Sequence, residues 1–310
     1  MIKPSTRVFR KQIIDGVSIP AIIHNLQYHF VDLDVYEDGR VECWDFEDFD
    51  HFKKKVKSGW VVLNIPEGQQ ISIHGLGTWA IDHGNWTFSS KSFIDYVLSL
   101  IREMNPGLTN MYKYTPKKVN GVRIRESGRG TIYKEYKAND PFAKKIDAEG
   151  LNLFYKSGDE YWLVKVNAFA DTSICLSRLE SPIEIDFPQL EKFIADGIIL
   201  TDLPADSKVN IYGLGSFNAR GVYYNASIGD KLSEIRDLQR KSRGEPSSLD
   251  ICREAYGKYL QNPTLAQKEI LKISYENVPK HQRMYVGDMD TKDIQVRMII
   301  YGEQEIEPQA

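Results

Sequence analysis

At 310 residues, 42% of them hydrophobic and 27% charged, the chain is long enough for two or three packed domains and too apolar for a disordered polymer. Its net charge of −3 selects no partner, so only the distribution of charge is informative. Cys43, Cys175 and Cys252 are odd in number and widely spaced, which excludes a disulfide framework or a zinc pattern and reads as free thiols in a reducing compartment. With no apolar leader core and no apolar run long enough to span a bilayer, a cytoplasmic protein without membrane contact is expected.

In chain order, Val8–Ile14 and Val17–His24 flank Asp15-Gly16 and predict a hairpin, with Pro20 placing the second strand at an edge. Tyr28–Tyr36 and Arg40–Trp44 flank Glu37-Asp38-Gly39, a second hairpin. Phe46, Phe49, Phe52 and Val56 recur at helical spacing, with Asp45 as N-cap and Gly59 just past the end. Trp60–Ile65 reads as a short strand, Pro66-Glu67-Gly68 as a turn, Gln70–Trp79 as one glycine-bearing strand, and His83-Gly84-Asn85 as a turn into Trp86–Phe88. Ser89 or Ser90 caps a helix with Phe93, Tyr96, Val97, Leu100 and Ile101 on one face, and Asn105-Pro106-Gly107 stops it.

The script then repeats. Ile71–Trp79, with His74-Gly75-Leu76-Gly77, returns as Val209–Phe217, with Tyr212-Gly213-Leu214-Gly215, at an offset of 138 residues. Between 46–79 and 184–217 nine of 34 gapless positions are identical, including the glycines and Pro66/Pro204, which marks a duplicated domain. In the second copy Gly150 stands where Gly16 does, and Tyr161–Phe169 pairs with Ile174–Ser177. Phe187–Ile194 is a helix, Ile198–Leu203, Lys208–Phe217 and Gly221–Asn225 are strands, and Ile228–Lys241 is a closing helix. The expected fold is therefore α+β: two tandem homologous modules with mostly antiparallel sheets and a helical C-terminal segment. The boundaries are 1–106 for the first repeat, 107–141 for a basic tyrosine-rich linker or hairpin, 142–246 for the second repeat and 247–310 for the helical segment. Within the linker, Val119–Arg125 and Thr131–Tyr136 flank Ser127-Gly128-Arg129-Gly130. In the tail, Leu249, Cys252, Tyr256 and Tyr259 share a helix face, and Asn262-Pro263 begins a helix to Asn277 that Val278-Pro279 breaks. Val296–Tyr301 is either a sheet edge or a last turn of helix.

No phosphate-cradling loop, serine elbow, zinc-protease helix or dinucleotide fingerprint is present, so no catalytic residue, metal or cofactor is assigned. His74, Asp82, His83 and Trp86 are the one acid–base constellation the chain offers, against the plainer reading of polar turn residues, since the second copy has Tyr212 and Gly221 in place of the two histidines. Asp288-Met289-Asp290-Thr291-Lys292-Asp293 lacks the glycine and glutamate of a calcium loop and reads as a helix N-cap. In the linker, Lys113, Lys117, Lys118, Arg123, Arg125, Arg129, Lys134 and Lys137 interleave with Tyr112, Tyr114, Tyr133 and Tyr136. Cations for phosphates and rings for stacking are what a single-stranded nucleic acid requires; a solvated hairpin is the other reading.

The sharpest difference between the copies is electrostatic. Asp32, Asp34, Glu37, Asp38, Glu42, Asp45, Glu47, Asp48 and Asp50 face one base, Arg40, within Asp32–Asp50, whereas Lys165–Pro188 holds four acids and two bases. The sister copy does without this acidity, so either a solvated face or a basic partner accounts for it.

Val31-Asp32-Leu33, Gly39, Trp44, Gly59-Trp60-Val61-Val62, the Gly-Leu-Gly strand and the tail Tyr275-Glu276-Asn277-Val278-Pro279 with Gly287–Asp293 and Tyr301-Gly302 resemble a family of uncharacterised bacterial proteins. Such proteins are similar in style to immunity proteins encoded beside secreted antibacterial toxins, and that resemblance implies a cytoplasmic, acidic protein that binds a toxin's active surface. The expectation is a non-enzymatic binder that neutralises a protein partner, such as a cationic toxin domain, through Asp32, Asp34, Tyr36, Glu37, Asp38, Glu42, Trp44 and Asp45. The alternatives are single-stranded nucleic-acid binding through Lys117, Lys118, Arg123, Arg125, Arg129 and Tyr133, or an unrecognised hydrolase or transferase.

Overall fold

A computed structural model describes residues 14–44, 47–115, 117–119, 122–124, 132–135, 145–288 and 291–302. In chain order the elements of the first copy are β1 (Gly16–Asn25), β2 (Gln27–Tyr36), β3 (Val41–Glu42), α1 (Phe49–Lys57), β4 (Val61–Val62), β5 (Gln70–Ile73), β6 (Gly77–Trp86) and α2 (Ser90–Met104). The linker contributes β7 (Lys117–Val119), β8 (Val122–Ile124) and β9 (Ile132–Glu135). The second copy is β10 (Lys145–Ser157), β11 (Glu160–Phe169), β12 (Ile174–Ser177), β13 (Ile183–Ile185), α3 (Phe187–Ala195), β14 (Ile199–Leu200), β15 (Ser207–Ile211), β16 (Gly215–Asn225) and α4 (Ile228–Ser242). The tail is α5 (Ser248–Gln261), α6 (Leu265–Glu276), α7 (Lys280–Arg283) and α8 (Ile294–Tyr301). The protein is thus α+β with mostly antiparallel pairing, as the sequence leads one to expect. By compactness it divides into a unit of Met1–Asn64 with Trp86–Gly130 and a unit of Ile65–Asn85 with Thr131–Ala310.

In the first unit β1 and β2 form a long hairpin from Gly16↔Tyr36 to Asn25↔Gln27, closed at Leu26, whose φ is 63°. Gly16 is therefore the first residue of a strand rather than part of a turn, and the expected partner strand 8–14 lies almost wholly outside the described residues. Pro20 lies opposite Asp32 of β2, and among the described residues β4 covers the other side of β1 only at Ile22 and Ile23, so proline breaks no described ladder bond on that side. Alternation sends Val31, Leu33 and Val35 to one face of β2, where they join Ile19, Ala21, Ile23 and Val41 under Phe52 and Val56 of α1 and Phe93, Val97 and Ile101 of α2. Ser89 caps α2 in a reciprocal box with Ser92, and Asn105 ends the helix. The N-cap of α1 is Asp48, not Asp45. Its Oδ1 accepts from His51 N at 2.7 Å while its Oδ2 accepts from Tyr114 N at 2.8 Å, so one carboxylate starts the helix and ties down the following loop.

In the second unit the strand order is β13-β12-β11-β15-β16-β6-β5, with β10 on the other side of β11 and pairing also with β14 and β9. Two expectations are corrected here. The Gly-Leu-Gly segments are tight hairpin turns, not continuous strands: Leu76 N donates to Ile73 O at 2.9 Å and Leu214 N to Ile211 O at 3.0 Å. Gly75 and Gly213 sit at φ 69° and 75°, the left-handed region such a turn needs. Conversely, His83-Gly84-Asn85 is no turn, because β6 runs straight through it to Trp86. The two equivalent hairpins lie side by side, β16 beside β6. Ala226 N donates to Leu76 O at 2.8 Å, and Arg220 lies 3.6 Å from Asp82, so the two strands run antiparallel. Trp79 meets Phe154 edge-to-face at 5.0 Å in the interior.

The linker also differs from its sequence reading. Val119 and Val122 belong to opposite strands, β7 and β8, while β9 pairs with β10 through Ala148↔Ile132 to Lys145↔Glu135. A strand next to a long apolar neighbour gains more by extending that sheet than by closing an isolated hairpin. In the tail Thr264, not Asn262, caps α6, and Asn262 instead ends α5. Val296–Tyr301 is helical, in α8, and with Cys252, Ala255, Leu271 and Tyr275 it forms a separate core. No helix among the described residues is long and apolar enough to cross a membrane.

Candidate functional site

The expected acidic residues do not all meet. Asp32, Asp34 and Tyr36 alternate with the buried Val31, Leu33 and Val35 and so share the opposite face of β2. Glu42 joins them, because Asp34 and Glu42 are direct partners across β2 and β3. Tyr36 is seated at the end of this face: a Cβ on Gly16 would lie 2.7 Å from Tyr36 Cδ1, so the ring fills the space that glycine leaves. The other members are drawn elsewhere. Asp38 is bound to Arg40 Nε at 2.9 Å, and that guanidinium lies 4.9 Å from the centre of the Tyr112 ring. Glu37 accepts from Asp15 N at 3.3 Å and its carbonyl from Asn105 Nδ2 at 3.0 Å. Trp44 packs 5.2 Å from His29, which lies on the same face of β2 as Val31, Leu33 and Val35, opposite Asp32 and Asp34. Asp45 lies outside the described residues.

Crowding of acids leaves an electrostatic mark on Glu42. Burial pushes its carboxyl above the ordinary range; Arg40 opposes this, while Asp34, Glu47 and Asp38 reinforce it. A carboxyl raised in the folded state stabilises fully below its unfolded value and loses that contribution as pH rises through the folded one. Ionised Glu42 therefore weakens the fold at neutral pH. Glu42→Gln should raise the melting temperature at pH 7, and the gain should vanish below the ordinary carboxylate value of 4.5, as read by thermal unfolding across pH.

The register of the second copy shows that the fold does not require these acids. Ile22–Ile23 of β1 pair with Val62–Val61, and Phe154–Tyr155 of β10 pair with Leu200–Ile199 in the same way. Ile22 faces Phe30 and Phe154 faces Leu163, so Asp32, Asp34 and Tyr36 correspond to Lys165, Asn167 and Phe169. Asp34↔Glu42 corresponds to Asn167↔Cys175. One copy thus presents three carboxylates where its sister presents a lysine, an amide and a thiol.

The other candidate residues are dispersed. Asp82 and His83, adjacent on β6, turn to different partners, Arg220 at 3.6 Å and Glu67 at 3.2 Å, and His74 sits exposed in the β5–β6 turn, so no acid–base pair forms among them. In the linker Lys118 and Arg123 are paired positions of β7 and β8, as are Lys117 and Ile124. The Tyr133 ring is covered by Lys145 Nζ at 4.0 Å, and Arg125 and Arg129 lie outside the described residues. Asp288 Oδ1 accepts from Thr291 N and Oγ1 at 2.7 and 2.6 Å, a local turn. Among the described residues no group of His, Cys, Asp and Glu could hold a metal ion. The cysteines are free; Cys252 is buried, and burial pushes its thiol up to about 11.

One cluster escaped the sequence reading. Lys231 of α4 is 1% exposed, with Nζ 2.5 Å from Glu234 Oε2 and, beyond it, His281 of α7 at 3.6 Å. The signal lay in the repeat itself: at an offset of 138 residues Lys231 matches Phe93, a core residue of α2. A buried charge stands where the sister helix has a ring.

Residues 4–108 and 136–246 match one family, described as Domain of unknown function (DUF7638), and residues 247–310 match another, Domain of unknown function (DUF7639). No curated protein and no solved structure matches the chain. Since the first match takes in both copies of the repeat and more than half of the residues, the chain belongs to the DUF7638 family, with the domain present twice and a DUF7639 segment after it.

Proposed function

We propose that the protein is a cytoplasmic binder that neutralises a cationic protein partner, in the manner of an immunity protein held against a secreted antibacterial toxin, and that the face of β2 and β3 that carries Asp32, Asp34 and Glu42 is the contact surface. One observation carries this reading: equivalent positions of the two copies hold Asp32, Asp34 and Glu42 in one and Lys165, Asn167 and Cys175 in the other. Like charges gathered on a sheet face disfavour folding, and at Glu42 the charges of Asp34, Glu47 and Asp38 add to the burial that chiefly raises its carboxyl. A basic partner would turn the same repulsion into attraction and steer association. Tyr36, held over Gly16, supplies an ordered ring at the rim, the kind of side chain that anchors interfaces at little entropic loss.

The test uses the product of the gene adjacent to this one as the partner. Reversing Asp32, Asp34 and Glu42 together to lysine should leave the circular dichroism spectrum unchanged and slow association about ten- to a hundredfold at low salt. The salt dependence of the rate should flatten with it. An unchanged association rate across salt concentrations would make the face merely solvated, and retention of single-stranded RNA on filters with no protein partner would favour the linker instead.

A further inference from the structure

We propose a second binding site, for a phosphate monoester, in the groove where α4 meets the tail helices α5 and α6. On α4, Ser233, Arg236, Asp237 and Arg240 fall at i, i+3, i+4 and i+7 and line one wall. Ser248 and Ile251 of α5, Ser274 of α6 and Asn277, which ends α6, line the others. The sister helix α2 has the same length and a serine N-cap, but at the matching positions it carries Asp95, Leu98, Ser99 and Arg102. The donor-rich stripe therefore belongs to the copy that the tail helices cover. It also lies at the junction of the two matched families, and such junctions are favoured places for ligand sites.

The acid in the groove is already engaged. Asp237, 6% exposed, accepts from Ser248 N at 2.9 Å and from Ser248 Oγ, tying α4 to the first residue of α5, and lies 3.6 Å from Arg240. Arg236 holds Glu191 at 2.9 Å, but both side chains are about half exposed, so this pair exchanges readily with solvent. Ser233, Ser274 and Asn277 make no side-chain hydrogen bond among the described residues. The lining thus offers two guanidiniums, each beside one carboxylate (Glu191 and Asp237), together with two hydroxyls and an amide that have no side-chain partner among the described residues. Guanidiniums match phosphate oxygens two at a time, and a dianion with three terminal oxygens uses more of these donors than a carboxylate does. Ile251, 39% exposed and part of the lining, offers an apolar border to whatever carries the phosphate.

Inorganic phosphate and O-phosphoserine are the probes, titrated into the full chain by calorimetry against chloride at matched ionic strength. Saturable binding is expected, weakened at least about tenfold by Arg236→Ala or Arg240→Ala. Glu191→Gln should tighten it, because Arg236 is released. Arg236 is exposed enough for its variant to fold, so that measurement stands even if Arg240→Ala disturbs Asp237. A phosphoserine peptide that binds better than free phosphoserine would assign the apolar border to a protein-borne ligand, and equal binding would assign the site to the phosphate group alone. The proposal is overturned if phosphate behaves like chloride, if a glutamate peptide binds as well as its phosphoserine counterpart, or if binding ignores both arginine variants.

Discussion

Gly77→Ala should destabilise the protein by about 3 kcal/mol or more, since the added methyl has nowhere to go and the obstacle is backbone. A Cβ there would stand 2.3 Å from Tyr224 O, 2.6 Å from Trp79 Cη2 and 3.0 Å from Asn225 Cα. These are the atoms that seat β16 beside β6, so relief requires the two hairpins to part where Leu76 O holds Ala226 N. The control is in the same pair of strands. A Cβ at Gly221 of β16 meets nothing within 4 Å, so Gly221→Ala should be neutral or slightly stabilising through the unfolded chain. Chemical denaturation of both variants separates the cases, and equal midpoints would show that the hairpin contact yields without cost.

Lys231→Met should cost about 3–5 kcal/mol, because it strands Glu234, 16% exposed, without its nearest cation. The double change Lys231→Met with Glu234→Gln should recover most of that loss, which a purely steric defect would not allow. The pH dependence supplies a second reading. Burial works to raise the Glu234 carboxyl, yet hydrogen bonds from His281 and Lys231 hold it below the ordinary value of 4.5. A depressed carboxylate contributes stability above its unfolded value and loses it as pH falls through the folded one. Wild type should therefore shed this contribution on acidification below pH 4.5, and the penalty of Lys231→Met should shrink over the same range. Denaturation midpoints that move in parallel for the two proteins at every pH would detach Glu234 from Lys231. The Lys231 ammonium also reaches the β5–β6 turn: a Cβ on Gly75 would lie 3.1 Å from Nζ.

Much of this architecture was legible in the residues. The 138-residue repeat announced the duplication, and the helix α2 followed from its apolar spacing, its serine cap and its Asn-Pro-Gly stop, all of which act within a turn or two of chain. The hairpin of β2 and β3 followed from Glu37-Asp38-Gly39, with Gly39 at φ 79° as such a turn demands. Equivalence of the acidic strand with Lys165–Phe169 was already visible in the charge difference.

What local signals left open was decided by distant partners. Gly75 and Gly77 look alike in sequence, yet one makes a turn and the other admits Tyr224, because only the neighbouring strand tells a bend from a close approach. Asp45 and Asp48 are both competent caps; the described cap, Asp48, also receives the amide of Tyr114, 66 residues away. Charge along a strand said that acids were concentrated, but alternation and pairing selected Asp32, Asp34 and Glu42 and sent Asp38 to Arg40 and Trp44 to His29. A helical pattern of period 3.6 residues records which positions are apolar, not which polar ones are covered. Lys231 and Asp237 became buried only because other segments close over α4, and that is a property of packing no single helix contains.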